Sequence, residues 1–397
     1  MKVSSNISKY LFALYALFVI FSDEMFLSYI SLRGMMLESG MKAYMAVMIA
    51  VMGYILIAKD IIKGSFNRFN IREFAFLLAV LFLYLLTSFF YQPSNSYYWS
   101  SLLVFGSISV PACFIGMRLA REDYTNEMMK LLPLFVSVVA ILVSRAAIFA
   151  SMQGIMLGRN EEDVFSYQGA SYYLAFSYAY CFYYIFFFKK THKTVYDHTI
   201  NFLMIAVMFA CAVGCLVGGG RGAFAFLIVV TVYLIYRVVR RSGKGNIKYI
   251  ALLIVGVALM VYLSDKFSVF ESAGFSRVSD RMLQDDVRGE LWKKAIAAFA
   301  ESPIFGNGLG SVWWTVGYRS HNILSDLLSE TGIFGTSIVL VLLIKGLIKL
   351  IKWSEFNSLD MFLLVVIIGS LVHDTFSGYW ISSFKIFLVL GYVFGKS

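Results

Sequence analysis

Apolar runs of about 20 residues follow one another from end to end of this chain. At a helical rise of about 1.5 Å per residue, a run of that length crosses a hydrocarbon core of about 30 Å. Length and hydrophobicity together predict about twelve spanning helices, near 8–26, 41–58, 73–91, 97–119, 131–152, 169–188, 199–217, 222–239, 247–263, 332–351, 359–373 and 377–394. One long polar interruption, 264–331, separates the ninth span from the tenth. Its second half runs on into that span as DVRGELWKKAIAAFAESPIFGNGLGSVWWTVGYRSHNILSDLLSETGIFG (286–335), crowded with charges, aromatics and glycines. The expected architecture is all-α and polytopic: one integral membrane domain over 1–397, in which the partly helical 264–331 segment carries much of the functional site.

Charge sorts the loops into two sets. Lys59, Lys63, Arg68 and Arg72 share a loop; then come Arg118, Arg121 and Lys130; Lys189, Lys190 and Lys193; Arg237, Arg240, Arg241, Lys244 and Lys248; and Lys349 and Lys352. Lys2 and Lys9 join them at the N-terminus. The alternate loops, 92–96, 218–220 and 374–376, are short and poor in Lys and Arg. The positive-inside rule puts the first set and both termini in the cytoplasm, and the 264–331 segment on the far, periplasmic side of a bacterial inner membrane. Long loops count little in that rule, so the arginines within 264–331 do not disturb the assignment.

Composition agrees. Charged residues make up 15% of the chain and hydrophobic ones 59%, against about 25% charged in a soluble domain. The net charge of +10 suggests a nucleic-acid partner only until its distribution in short loops is seen. Cys113, Cys181, Cys211 and Cys215 all fall inside apolar runs, where cysteine behaves as a small hydrophobe. Cys211 and Cys215 stand one turn apart but have no histidine or carboxylate beside them, so no metal site is expected. The first apolar run, at 10–21, has no small-residue cleavage site after it and reads as a span.

Three pieces stand out in the far-side segment. A helix is expected from about Asp286 to Ala300, capped by Asp285 or Asp286 and closed by Pro303. Its apolar stripe and its charges (Arg288, Glu290, Lys293, Lys294) suit an interfacial helix, and Trp292, Trp313 and Trp314 suit the same level. Gly306-Asn307-Gly308-Leu309-Gly310 follows no strand, so a dinucleotide fingerprint is not expected. Those glycines mark turns and allow close backbone approach to a ligand. Ser320-His321-Asn322 then places His321 at a helix start beside water. Of the other histidines, His192 and His198 sit in a cytoplasmic loop and His373 at a far-side span end.

A second polar cluster, Val217-Gly218-Gly219-Gly220-Arg221-Gly222-Ala223, joins two spans with almost no loop. It reads either as a tight turn with a snorkelling arginine or as an anion site. In the second case backbone N–H groups of Gly219 and Gly220 are exposed at a helix start and the Arg221 fork suits a diphosphate. Arg145, within SRAAIFA in the outer half of the fifth expected span, is a further candidate, since a charge at that depth tends to face the bundle interior.

With GGGRGAF (218–224), VRGELWKKAIAAFAESPIFGNGLGS (287–311) and HNILSDLLSETGIFG (321–335), the chain resembles the O-antigen polymerase and O-antigen ligase superfamily. The order matches too: a span-entry arginine, a large periplasmic loop with an arginine-bearing helix, then an HN motif leading into the next span. The resemblance implies a membrane glycosyltransferase of the all-helical GT-C class that moves glycan from undecaprenyl diphosphate without nucleotide sugar or metal. It implies that Arg221 and Arg288 hold the diphosphate and that His321 activates or positions the acceptor hydroxyl. Arg281, Arg277, Arg319 and Arg145 are supplementary candidates for the phosphate grip, and a chain-length regulator is an implied partner.

The chemistry is self-consistent. Arginine pairs bidentately with phosphate oxygens and stabilises charge building on a leaving diphosphate. A histidine, with an unperturbed pKa of about 6.5, can take the proton of a sugar hydroxyl. The leaving group is already activated, so the carboxylate pair of a glycosidase is not needed. A flippase of the lipid-linked unit is the main rival. Ion-coupled transporters carry mid-membrane acids and inverted repeats, which this sequence does not display. A pure scaffold leaves His321 and Arg221 without a reason, and no HExxH supports a zinc protease.

Overall fold

The computed structural model describes residues 2–22, 39–62, 71–90, 96–152, 167–188, 195–242, 262, 287–316, 320–355, 357–376 and 378–396. Among these the chain is all-helical. Helices lie in each expected span except 247–263, of which only residue 262 is described; the span expected at 377–394 is α-helical only over Phe384–Gly395. Six are long and apolar enough to cross a membrane: Tyr98–Arg121, Thr125–Phe149, Asp197–Gly218, Arg221–Arg240, Ile323–Trp353 and Ser358–Phe376. Shorter apolar helices cover Ile7–Ile20 and Phe384–Gly395. The protein is therefore a polytopic helical membrane protein.

The chain divides into two compact units. The first comprises Met1–Glu38, Tyr124–Gln284 and Ser354–Gly369. At its centre runs the Tyr167–Phe187 helix, packed against the Thr125–Met152, Val195–Gly218 and Arg221–Ser242 helices. Its sequence, YQGASYYLAFSYAYCFYYIFF, has no polar face, and a helix apolar all round is a buried one. Aromatic contacts lock it in place: Tyr180 meets Phe21 and Phe362 at 5.0 and 5.4 Å between centroids, and Phe176 meets Phe226 at 5.2 Å.

The second unit comprises Ser39–Asp123, Asp285–Trp353 and Ser370–Ser397. Its tightest pairing sets Phe384–Gly395 against Val110–Arg121, with Gly116 under Leu388 and Gly391 under Cys113, small residues that let helix backbones touch in an apolar medium. Pro111 opens the Val110–Arg121 helix. It cannot donate to the preceding turn, and the five residues Phe105–Ser109 before it widen into a π stretch. The Tyr54 hydroxyl donates to the Gly106 carbonyl of that stretch at 2.6 Å. Two arginines of the positive loop set are paired: Arg118 with Asp60 at 3.1 Å and Arg121 with Glu73 at 2.7 Å. The far-side segment from Val287 onward lies wholly in this unit.

Candidate functional site

The expected interfacial helix is present as Val287–Glu301, with Arg288 in its first turn. Ala295 and Ala298 are buried on one face, whereas Lys293 (side chain 77% exposed) pairs with Glu290 at 3.2 Å on the other. The helix packs along Ile323–Trp353, the helix that follows His321. Trp292, one turn after Arg288, does not act only as an interface residue. Its indole N–H donates to the Ser320 carbonyl at 3.0 Å, tying the arginine helix to the turn that holds His321.

That turn is built by its own sequence. The Asn322 side-chain oxygen accepts the backbone N–H groups of Leu324 and Ser325 at 3.0 and 3.1 Å, so asparagine is the helix N-cap. Buried Asp326, in the first turn where the helix dipole favours an acid, accepts both the N–H and the hydroxyl of Ser320 at 3.1 and 2.6 Å. The Ser325 hydroxyl lies 2.7 Å from that of Ser320. Ser320 and Asn322 are thus fixed on either side of His321, which takes φ 59°, the one positive φ of a non-glycine among the described residues. Such conformations cost of order 1 kcal/mol or more and gather at functional sites. The His321 side chain is half-buried.

Further along, the same helix breaks at Gly332, with φ 61° and ψ −167°. An unbroken helix would bond the N–H groups of residues 333 and 334 to the carbonyls of 329 and 330. Instead Ile333 and Phe334 donate to the Pro303 and Ile304 carbonyls at 2.9 and 3.1 Å, while the Ser329 and Glu330 carbonyls accept from Asn307 and Gly308 at 2.8 and 2.9 Å. The Pro303–Gly308 turn is therefore a backbone splint across the break, satisfying the groups that any helix interruption in a membrane protein must re-pair. A Cβ on Gly306 would stand 2.4 Å from Glu330 backbone, and one on Gly332 2.3 Å from the Ile304 carbonyl. Of the two readings of the glycine motif, the structure has the turn, and the backbone it admits closely is the chain's own.

The Glu330 carboxylate, fully buried, sits at this break. It accepts the Gly310 N–H at 3.0 Å, the Trp380 indole N–H at 3.0 Å and the Tyr379 hydroxyl at 3.0 and 3.1 Å from its two oxygens. Sequence reading missed this carboxylate, because its partners lie 49 and 50 residues away. It also passed over a second polar chain in the same unit. The Asp374 carboxylate meets the His373 ring nitrogen Nδ1 at 2.9 Å and accepts the Ser383 hydroxyl. The adjacent His-Asp pair was the available signal.

In the first unit, the Gly218–Gly220 turn ends one helix and Arg221 starts the next. Gly219 takes φ 74°. A Cβ on Gly218 or Gly220 would meet Ser171 at 2.4 and 2.6 Å, and the Gly220 N–H donates to the Ser171 hydroxyl at 3.1 Å. Gly219 and Gly220 are buried rather than open, and the Gly220 N–H already has its partner, which corrects the expectation that it faces a ligand. Arg221 is half-buried at the helix start. Arg145 lies on the exposed side of its helix instead of an inward face, where its long stem can reach the headgroups.

The structure thus brings the Arg288 helix and His321 together in one unit and puts Arg221, Gly219, Gly220 and Arg145 in the other. Arg281, Arg277 and Arg319 lie outside the described residues. Residues 206–340 match the family model described as O-antigen ligase. The matched stretch contains Arg221, Arg288 and His321, and ends eight residues beyond the helix break. No curated protein and no solved structure matches the chain.

Proposed function

We propose, from the match of residues 206–340 to the family model described as O-antigen ligase, that this membrane protein is a surface-polysaccharide polymerase. It joins undecaprenyl-diphosphate-linked repeat units on the periplasmic face of the inner membrane. The observation that carries the reading is the Trp292–Ser320 bond, which couples the arginine helix to the histidine turn within one unit.

In this reading Arg288, on the helix tied to the histidine turn, grips the donor diphosphate. Bidentate guanidinium pairing holds the phosphate oxygens in the ground state and offsets the charge that grows on them as the glycosidic bond breaks. His321 stands at the acceptor. The acceptor oxygen bonds to the donor's anomeric carbon, its proton passes to the imidazole, and the carbon–oxygen bond to phosphate breaks with its electron pair leaving on undecaprenyl diphosphate. The capped turn and the left-handed backbone at His321 supply the preorganisation such a step requires. No nucleotide sugar or metal takes part, and a chain-length regulator is the expected protein partner.

The description of the matched family favours a second reading, a ligase that moves finished glycan from undecaprenyl diphosphate to lipid A core. The polymerase is preferred because it asks the site to recognise one substrate class as both donor and acceptor. Deleting the gene separates the two. A polymerase mutant carries surface glycan capped with a single repeat unit, whereas a ligase mutant loses attached glycan while lipid-linked polymer remains. Unchanged chain length would overturn both.

A further inference from the structure

Exposure along the histidine helix after its break is periodic. Ile333 and Phe334, then Val341, Ile344, Ile348 and Ile351 are exposed, at helical spacing, with Ser337 and the snorkelling stem of Lys345 on the same face, whereas Gly335, Thr336, Val339, Leu343, Gly346 and Leu350 are buried. This is the lipid-facing stripe of a spanning helix. From Ile333 to Lys352 the helix is about 30 Å long at about 1.5 Å per residue, the thickness of a hydrocarbon core. With Lys349 and Lys352 at the cytoplasmic boundary, the far boundary falls on Ile333 and Phe334, directly at the Gly332 break.

The splinting turn continues that stripe. Ile304 is 62% exposed and Phe305 41%, beside Ile333 at 56% and Phe334 at 41%. The Phe305 and Phe334 rings meet edge-on at 5.7 Å. The Ile304 carbonyl is itself bonded to the Phe334 N–H, so the turn cannot move away from the span without breaking the splint. On the arginine helix the exposed face passes from Lys293 and Lys294 through Ile296, Ala297 and Ala300 to this turn, polar at one end and apolar at the other.

We propose that Ile304 and Phe305 form a wedge inserted in the far leaflet of the bilayer, which fixes the height of the histidine turn above the membrane. Two exposed apolar side chains on a turn outside the spans are costly in water. Here they are continuous with a surface that must already face acyl chains, and the occupant is therefore lipid. His321 precedes Ile333 by twelve residues, so it stands at most about 18 Å of helix beyond the boundary. Through the splint, the wedge holds that offset constant. A lipid-linked substrate presents its diphosphate at the headgroups and its sugars outside them, so a fixed offset selects which sugar His321 reaches. The wedge itself needs only a membrane-spanning chain, and its failure would leave the proposed function standing.

Nitroxide labels on introduced cysteines test it in the full-length protein, since Cys113, Cys181, Cys211 and Cys215 are all buried. Single variants Ile304→Cys, Phe305→Cys, Val341→Cys and Lys293→Cys are reconstituted in phosphatidylethanolamine–phosphatidylglycerol liposomes. Collisions with oxygen, which partitions into lipid, are compared with those of a water-soluble nickel chelate. The wedge predicts that labels at 304 and 305 shift towards oxygen, as at Val341 but at shallower depth, while Lys293 shifts towards nickel. Labels at 304 and 305 that respond to nickel as Lys293 does would overturn it. Exclusion of both relaxants there would overturn it too, assigning the patch to a second copy or another protein.

Discussion

The indole N–H of Trp292 lies 3.0 Å from the carbonyl of Ser320. Arg288 is one turn before the donor and His321 one residue after the acceptor, so a single side-chain bond relates the two residues on which a diphosphate-transfer site would depend. Trp292→Phe keeps most of the ring and removes only the N–H. A neutral hydrogen bond contributes about 1 kcal/mol net, so thermal unfolding in detergent should move by only a few degrees. Polymer length in a complementation assay should fall clearly. Full-length polymer from Trp292→Phe would show that this coupling does not matter.

The histidine turn depends on its cap. Asn322→Ala removes the acceptor for two backbone N–H groups and should cost about 1 kcal/mol, read as a lowered melting temperature. Asn322→Asp and Asn322→Ser, which still cap, should retain most of the stability. If alanine and aspartate melted alike, the capping account of the HN motif would be wrong.

At the break, Gly332→Ala should be far more damaging than an ordinary surface change. The new methyl meets the Ile304 carbonyl at 2.3 Å and the backbone φ is 61°, two mechanisms that place it in the range above about 3 kcal/mol. Gly306→Ala, against Glu330 backbone, should behave the same way. Yield and monodispersity of the purified protein report both, with Gly289→Ala, which meets nothing within 4 Å, as the tolerated control.

These glycines mark where sequence reading stopped. Apolar run length was enough for most of the helices among the described residues, because spanning a bilayer is a local constraint on each segment. Pro303 and the charged stripe were enough for the arginine helix. GNGLG could be read only as turns, since its role depends on Ser329 and Glu330 carbonyls left open by a break elsewhere. Trp292 carried an interface signal from its residue type, while its bond runs to a loop 28 residues on. Glu330 has no sequence signature of its own; what makes it a hub is Tyr379 and Trp380, from the far end of the chain. Non-local pairing of this kind leaves no periodic trace.

Glu330→Gln tests that hub. The carboxylate accepts from Gly310, Tyr379 and Trp380 at once. An amide offers one acceptor oxygen and points a donor at another donor, and a buried group left unpaired costs about 1–3 kcal/mol. The melting temperature should fall accordingly. Glu330→Asp, which keeps both oxygens on a shorter stem, should fall between. A glutamine variant as stable as the parent would mean that the three donors have other partners to turn to.

His321 offers the sharpest separation of stability from activity. Its backbone is left-handed, which costs a side-chain-bearing residue of order 1 kcal/mol and glycine almost nothing. The bonds of Asn322, Ser320 and Asp326 that shape the turn do not involve the change at position 321. His321→Gly should therefore leave the melting temperature unchanged or raise it by a degree or two, the unfolded-chain entropy of glycine offsetting part of the relief. The same variant should abolish polymer formation, because in the proposed mechanism it removes the proton acceptor. His321→Ala should lose activity equally but melt lower, since alanine retains the strain. Loss of stability in His321→Gly would mean that the imidazole holds the turn and is a structural group. Retained activity in either variant would remove His321 from the chemistry altogether. A stable, inactive glycine variant is the outcome expected of a site that keeps its histidine against the preference of its own backbone.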